Sequence, residues 1–148
     1  NQIQYELHIV ESELLNTEQV TIADLKQNLR ETGKQAFYGI YFATGEATLQ
    51  PESATELALI ATFVRENPDL EAFVVGHTDL TGDYEANLSL SQARAQAVLE
   101  ALVNDHGVEV GNLRPVGVGP VAPVATNRTG EGRAKNRRVE LVLGKFAR

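Results

Sequence analysis

A chain of 148 residues is the length of one domain, and 43% hydrophobic with 22% charged residues is an ordinary soluble composition that can bury a core. The formal net charge of −7 argues against general nucleic-acid binding, and the absence of cysteine rules out a disulfide scaffold and thiol chemistry. The charge is divided along the chain: residues 1–127 carry 6 Lys/Arg against 18 Asp/Glu, whereas residues 128–148 carry 7 against 2. No apolar run approaches the ~18 residues of a bilayer span. The chain opens on Asn1 without a leader pattern, so we expect a mature or trimmed fragment whose upstream part carries a signal, an anchor or another domain.

Residues 2–10 alternate polar and apolar, the pattern of a half-buried strand. Ile22, Leu25 and Leu29 then recur at helical spacing in a segment from Thr21 to Glu31 that Gly33 ends. This opening, residues 1–35, reads as an extension or as the remnant of a preceding domain. The aromatic run Ala36–Phe42 has strand length, and Thr44-Gly45 turns the chain. Pro51 and Ser53-Ala-Thr-Glu56, a capping-box pattern, open a helix with Ala54, Leu57, Ala58, Ala61 and Val64 on its apolar face. Asn67-Pro68 stops it. Leu70–Val75 is the next strand, followed by a polar turn over Gly76–Gly82. A second helix runs from about Asp83 to His106 with Gly107 as its stop, and its stripe is Leu90, Ala93, Ala97 and Ala101, widened by Val98 and Leu102. Leu113–Val118 is a short strand that Pro115 marks as an edge or an early position. Residues 119–136 are mostly loop, with one helical turn over Glu131–Lys135. Arg138–Leu143 closes the domain as a strand with Val139, Leu141 and Leu143 on one face. The order implies an α/β fold (an α+β sandwich) with a mixed sheet of about four strands and two main helices on one side, β-α-β-α-β-β.

No catalytic constellation emerges. His8, His77 and His106 are scattered, His77 and Asp79 lack a third metal ligand, and Ser89 and Ser91 have no evident base. We expect no enzyme, no metal and no cofactor. The binding residues are more telling. Asn87, Ser91 and Arg94 follow one another at i, i+4 and i+7, a line that continues into the apolar Val98 and Leu102. A guanidinium heading such a row needs a partner, and the turn before the helix offers Asp79. Either the two simply pair and fix the turn, or they flank a small pocket for a ligand with one positive and one negative end. Thr81 and Asn87 stand beside them, and Arg137 of the basic tail is a candidate second anion-binding group, although such a tail is also compatible with a solvated surface.

Gly76-His-Thr-Asp79, Asn87-x-x-Leu90-Ser91-x-x-Arg94-Ala95, Gly117-x-Gly119 and Asn127-x-Thr-x-x-Gly132-Arg-Ala-x-Asn136-Arg-Arg-Val139 together resemble the OmpA-like C-terminal domain. The resemblance covers residues 36–143 and sets the second domain at 36–148. It implies non-covalent binding of peptidoglycan through the meso-diaminopimelate of the stem peptide, in the periplasm of a Gram-negative envelope, in association with the outer membrane. Carried over by position, Asp79 would accept from the diaminopimelate ammonium and Arg94 would clasp its carboxylate. Thr81, Asn87 and Arg137 would support them. Membrane contact would come only through an anchor or domain outside this chain. Ala43, where an acidic residue is common, and the Thr44-Gly45-Glu46 loop depart from the pattern, as does the apolar Leu80. These departures keep a second reading open, an envelope interaction module with a degenerate pocket.

Overall fold

The structure, a computed structural model, describes residues 19–145. The strand expected over residues 2–10 lies outside that range. Helix α1 spans Ile22–Thr32. Thr21 and Asp24 form a reciprocal capping box at its start, and Gly33 ends it in the left-handed conformation with φ 80°. Strand β1 (Lys34–Phe37) follows, then α2 (Ala54–Glu66), β2 (Ala72–His77), α3 (Tyr84–His106), β3 (Leu113–Gly119), the short α4 (Gly130–Asn136) and β4 (Arg138–Leu143). The fold is α+β with a mixed four-stranded sheet ordered β1-β4-β2-β3. β4 runs antiparallel to both β1 and β2, while β2 and β3 are parallel, joined by the α3 crossover. β3 is an edge strand, which accommodates Pro115 without loss of an interior ladder bond. α1 and β1 share the core through Leu25, Leu29 and Phe37, so a boundary at residues 35 and 36 falls inside a strand of the domain.

Several local expectations need correction. The strand expected over Ala36–Phe42 is Lys34–Phe37 instead, and Phe42 makes only an isolated bridge to Leu49. The chain leaves the sheet here because α2 offers it other partners. Glu56 accepts from the Gly39 N–H at 2.9 Å, and the Ser53 hydroxyl accepts from the Tyr41 N–H at 2.8 Å and donates to the Tyr41 carbonyl at 3.0 Å. Ser53 and Glu56 are therefore spent on the preceding segment, and the capping box read from their spacing does not form. On α2 the buried face is Leu57, Ile60, Ala61 and Phe63, with Ala54 and Ala58 exposed, because the bulkier side chains gain more by burial than the alanines.

On α3 the buried row is Ser91, Ala95, Val98 and Leu102, joined by Leu99 and Ala101, whereas Ala93 is exposed and Leu90 and Ala97 are half-buried. The reason lies in the sheet beneath. A Cβ on Gly76 would sit 2.4 Å from the Ser91 carbonyl oxygen, and one on Gly117 would sit 2.1 Å from the Gln92 backbone nitrogen. α3 thus rests its Ser91–Gln92 backbone directly on two glycines. Gly117→Ala must push the helix off the sheet, and we expect a loss of about 1–3 kcal/mol in denaturant unfolding; an unchanged midpoint would contradict this contact. On β4, Val139 and Leu141 reach the core, but Leu143 is 42% exposed because the strand is ending there.

Candidate ligand-binding site

β2 ends at His77 with a register shift against β3, and the chain then turns toward α3. Thr78 is buried and its N–H donates to the Gly119 carbonyl at 3.0 Å. Asp79 follows, with only 8% of its surface exposed. One carboxylate oxygen accepts from the Thr81 N–H at 2.8 Å, closing a small turn, and the other accepts from Arg137 Nη1 at 2.6 Å. The Asn87 side chain donates to the Thr81 carbonyl at 2.8 Å, and Asp83 caps α3 by accepting from the Ala86 N–H at 2.8 Å. The turn is thereby tied to the helix that carries Arg94.

Arg94 does not pair with Asp79. Its Nε donates to the Glu46 carbonyl at 2.9 Å, its Nη2 reaches the Ala43 carbonyl at 3.5 Å, and its guanidinium lies 4.9 Å above the Phe42 ring. The loop that lacks the acidic residue common elsewhere thus holds this arginine with backbone carbonyls. Asp79 takes Arg137 as its ion pair instead, an arginine whose side chain is 50% exposed. Asp79, Thr81, Asn87, Arg94 and Arg137 all line one open cleft of about 840 Å³. Burial alone would raise the Asp79 pKa, but the Thr81 N–H and the Arg137 guanidinium outweigh it, so the carboxyl stays below its ordinary value of 3.8. Burial and the charge of Arg137 lower the Arg94 pKa, and the charge of Asp79 opposes them; the three groups feel one another across the cleft.

The profile of the OmpA family matches residues 41–137. The chain belongs to the OmpA family. It is 42% identical over 104 residues to "Probable lipoprotein YiaD" of Escherichia coli strain K12, which covers 70% of this chain and 47% of that protein. It is 41% identical over 104 residues to "Peptidoglycan-binding protein ArfA" of Mycobacterium tuberculosis, covering 70% of this chain and 32% of that one. The chain therefore spans less than half the length of these curated relatives. Among solved structures, the peptidoglycan-associated lipoprotein from Burkholderia pseudomallei superposes with a TM-score of 0.64 at 32% identity, covering 71% of this chain and 88% of that one. The cell wall anchor of the T6SS from Pseudomonas aeruginosa gives a TM-score of 0.61 at 30% identity, over 82% and 94% of the two chains.

Other residues of this OmpA-like domain hold the cleft together and were not singled out as site residues from sequence. Asn136 is fully buried and works with all its polar atoms. Its side-chain Oδ1 accepts from the Val124 and Ala125 N–H groups, and its side-chain amide donates to the Ala125 backbone carbonyl and to Asn127 Oδ1, which also accepts from the Leu80 N–H. The asparagines at 127 and 136 in the family motif were the available signal. Behind the cleft, Arg138 Nε donates to Glu140 at 2.7 Å, with side chains only 1% and 6% exposed. Alternation along β4 puts this pair on the face opposite Val139 and Leu141. His77 is buried beside it, its Nε2 3.4 Å from the other Glu140 oxygen. Ser91 serves structure too, accepting from the Gly119 N–H at 2.9 Å and donating to the Leu88 carbonyl. No group of metal-binding side chains occurs among the described residues.

Proposed function

We propose that this domain binds peptidoglycan non-covalently, through the zwitterionic side-chain end of meso-diaminopimelate in an uncrosslinked stem peptide. The observation that carries the reading is that a carboxylate and a guanidinium, Asp79 and Arg94, face the same open cleft without neutralising each other. The ligand's ammonium would lie against Asp79, and its carboxylate would accept from Arg94, which makes no ion pair among the described residues. Thr81 and Asn87 would hold the turn in place, with Arg137 near a further ligand carboxylate. Relatives and structural neighbours that are named for peptidoglycan or the cell wall support the assignment. The domain would act as a binding module in the periplasm, in association with the outer membrane. No helix among the described residues is long and apolar enough to cross a bilayer.

A single muropeptide makes a few charge-assisted contacts, each worth about 1.5–3 kcal/mol, against an association cost of several kcal/mol. We expect an affinity between about micromolar and millimolar, with firm attachment arising from many sites on one polymer. Calorimetric titration with L-Ala-γ-D-Glu-meso-diaminopimelate and with L-Ala-γ-D-Glu-L-lysine is the direct test. Within the peptide the lysine side chain ends in an ammonium with no carboxylate on the same carbon, and it should bind about tenfold more weakly. Equal affinity for the two would overturn the assignment, and a failure to sediment with purified sacculi would leave an interaction module in its place.

A further inference from the structure

The charges lining the cleft do not balance. Four guanidinium groups, Arg94, Arg133, Arg137 and Arg138, border it together with one carboxylate, Asp79. Glu140 neutralises Arg138 from behind, and Asp79 neutralises Arg137. Arg94 and Arg133 are left without an ion pair among the described residues. Arg133 is anchored by one bond, Nη1 to the Asn127 carbonyl at 2.9 Å, and its Nε and Nη2 make no hydrogen bond among those residues.

A ligand with one ammonium and one carboxylate does not remove this surplus. Seated on Asp79 and Arg94, its ammonium competes with Arg137 for Asp79, so Arg137 loses part of its partner as the ligand enters. Arg137 stands four residues after Arg133, and its N–H donates to the Arg133 carbonyl at 3.1 Å, so the two side chains leave the same side of the α4 turn. Two guanidiniums at that spacing repel unless an anion lies between them.

Resting on the reading above, we propose that Arg133 and Arg137 form a second carboxylate subsite, and that the cleft takes a diaminopimelate peptide bearing a further free carboxylate besides the one on its zwitterionic end. Entry of the ligand is then an exchange: Asp79 passes from Arg137 to the ligand ammonium, and Arg137 turns with Arg133 to the second carboxylate. The cleft's volume of about 840 Å³ leaves room for more than one amino-acid side chain. A ligand whose other carboxylates are amidated or consumed by crosslinks lacks the group that this pair reads.

The test uses two synthetic peptides, L-Ala-γ-D-Glu-meso-diaminopimelate with its carboxylates free, and the same peptide amidated at every carboxyl except that of the zwitterionic end. The unaltered protein should prefer the free peptide about tenfold by calorimetry. In Arg133→Gln that ratio should fall toward one, with melting curves recorded to check the Asn127 loop. Because the amidated ligand probes the unaltered protein, the result does not depend on the variant folding. A ratio near one in the unaltered protein, or a full preference retained in Arg133→Gln, would overturn the second subsite while leaving the first intact. Failure of the unaltered protein to bind either peptide would overturn both.

Discussion

Asp79→Ala and Arg94→Ala should each weaken binding of diaminopimelate by about tenfold or more, while the domain stays folded. In the proposed binding mode, removing Asp79 would delete a charge-assisted contact to the ammonium and leave Arg137 unpaired beside the ligand's positive end, a loss of about tenfold to a hundredfold. Removing Arg94 would delete two parallel donors to the carboxylate, a loss of about a hundredfold or more. Two conservative variants refine the result. Asp79→Asn keeps an acceptor for the Thr81 N–H but not the charge, and Arg94→Lys keeps the charge but not the planar fork. Both should bind weakly. Calorimetry or chemical-shift titration, with circular dichroism to show that each variant is folded, would measure these losses, and undiminished binding by Asp79→Ala would remove the pocket from consideration. The pH dependence has a definite sign. Because the folded Asp79 pKa lies below 3.8, the carboxylate is still mostly ionised where an ordinary aspartate is half neutral, and its contribution to ammonium binding is lost only as pH falls further.

The second large effect concerns stability. Glu140→Ala leaves the Arg138 guanidinium buried without its counter-ion, a situation that typically costs about 3–5 kcal/mol. Melting should fall by about 10 °C or more. Burial alone would raise the Glu140 pKa, but the neighbouring His77 and the hydrogen bond and charge of Arg138 lower it from 4.5 to about 2. A depressed carboxyl pKa contributes stability that is complete above the unfolded value and disappears as pH drops through the folded one. The unaltered domain should therefore lose stability between about pH 4.5 and pH 2 through this group, and Glu140→Gln should lack that part of the acid transition. Replacing both partners, as in Arg138→Met with Glu140→Leu, should recover much of the single-variant loss, since an apolar pair leaves no orphaned charge. A melting temperature in Glu140→Ala equal to that of the unaltered protein would contradict this account.

The elements that local chemistry specifies are the ones whose limits could be read from sequence. Thr21 with Asp24 and then Gly33 bracket α1, Asp83 and Gly107 bracket α3, and β4 runs over Arg138–Leu143 as its alternation indicates. At each place the deciding hydrogen bond or backbone angle lies within a few residues, so the sequence carries the information on its own. The family motifs likewise brought Asp79, Thr81, Asn87, Arg94 and Arg137 to one cleft. Where distant groups compete, local reading fails. Ser53 and Glu56 have capping-box spacing, yet Gly39 and Tyr41 take their oxygens, and β1 is shortened by the same exchange. Close approach of α3 to Gly76 and Gly117 chooses its buried row over the stripe of Leu90 and the alanines.

By itself, then, the sequence determined the order of helices and strands, the limits of α1 and α3, and the residue types that gather at the turn after β2. Only the tertiary structure decided how the charges are partnered: Asp79 with Arg137, Arg94 with the carbonyls of Ala43 and Glu46, Arg138 with Glu140. The physical reason is range. Caps and periodicity act through neighbours in the chain, whereas an ion pair is settled by which opposite charge arrives nearest once the strands have taken their order in the sheet, and Asp79 lies 58 positions from the arginine it meets.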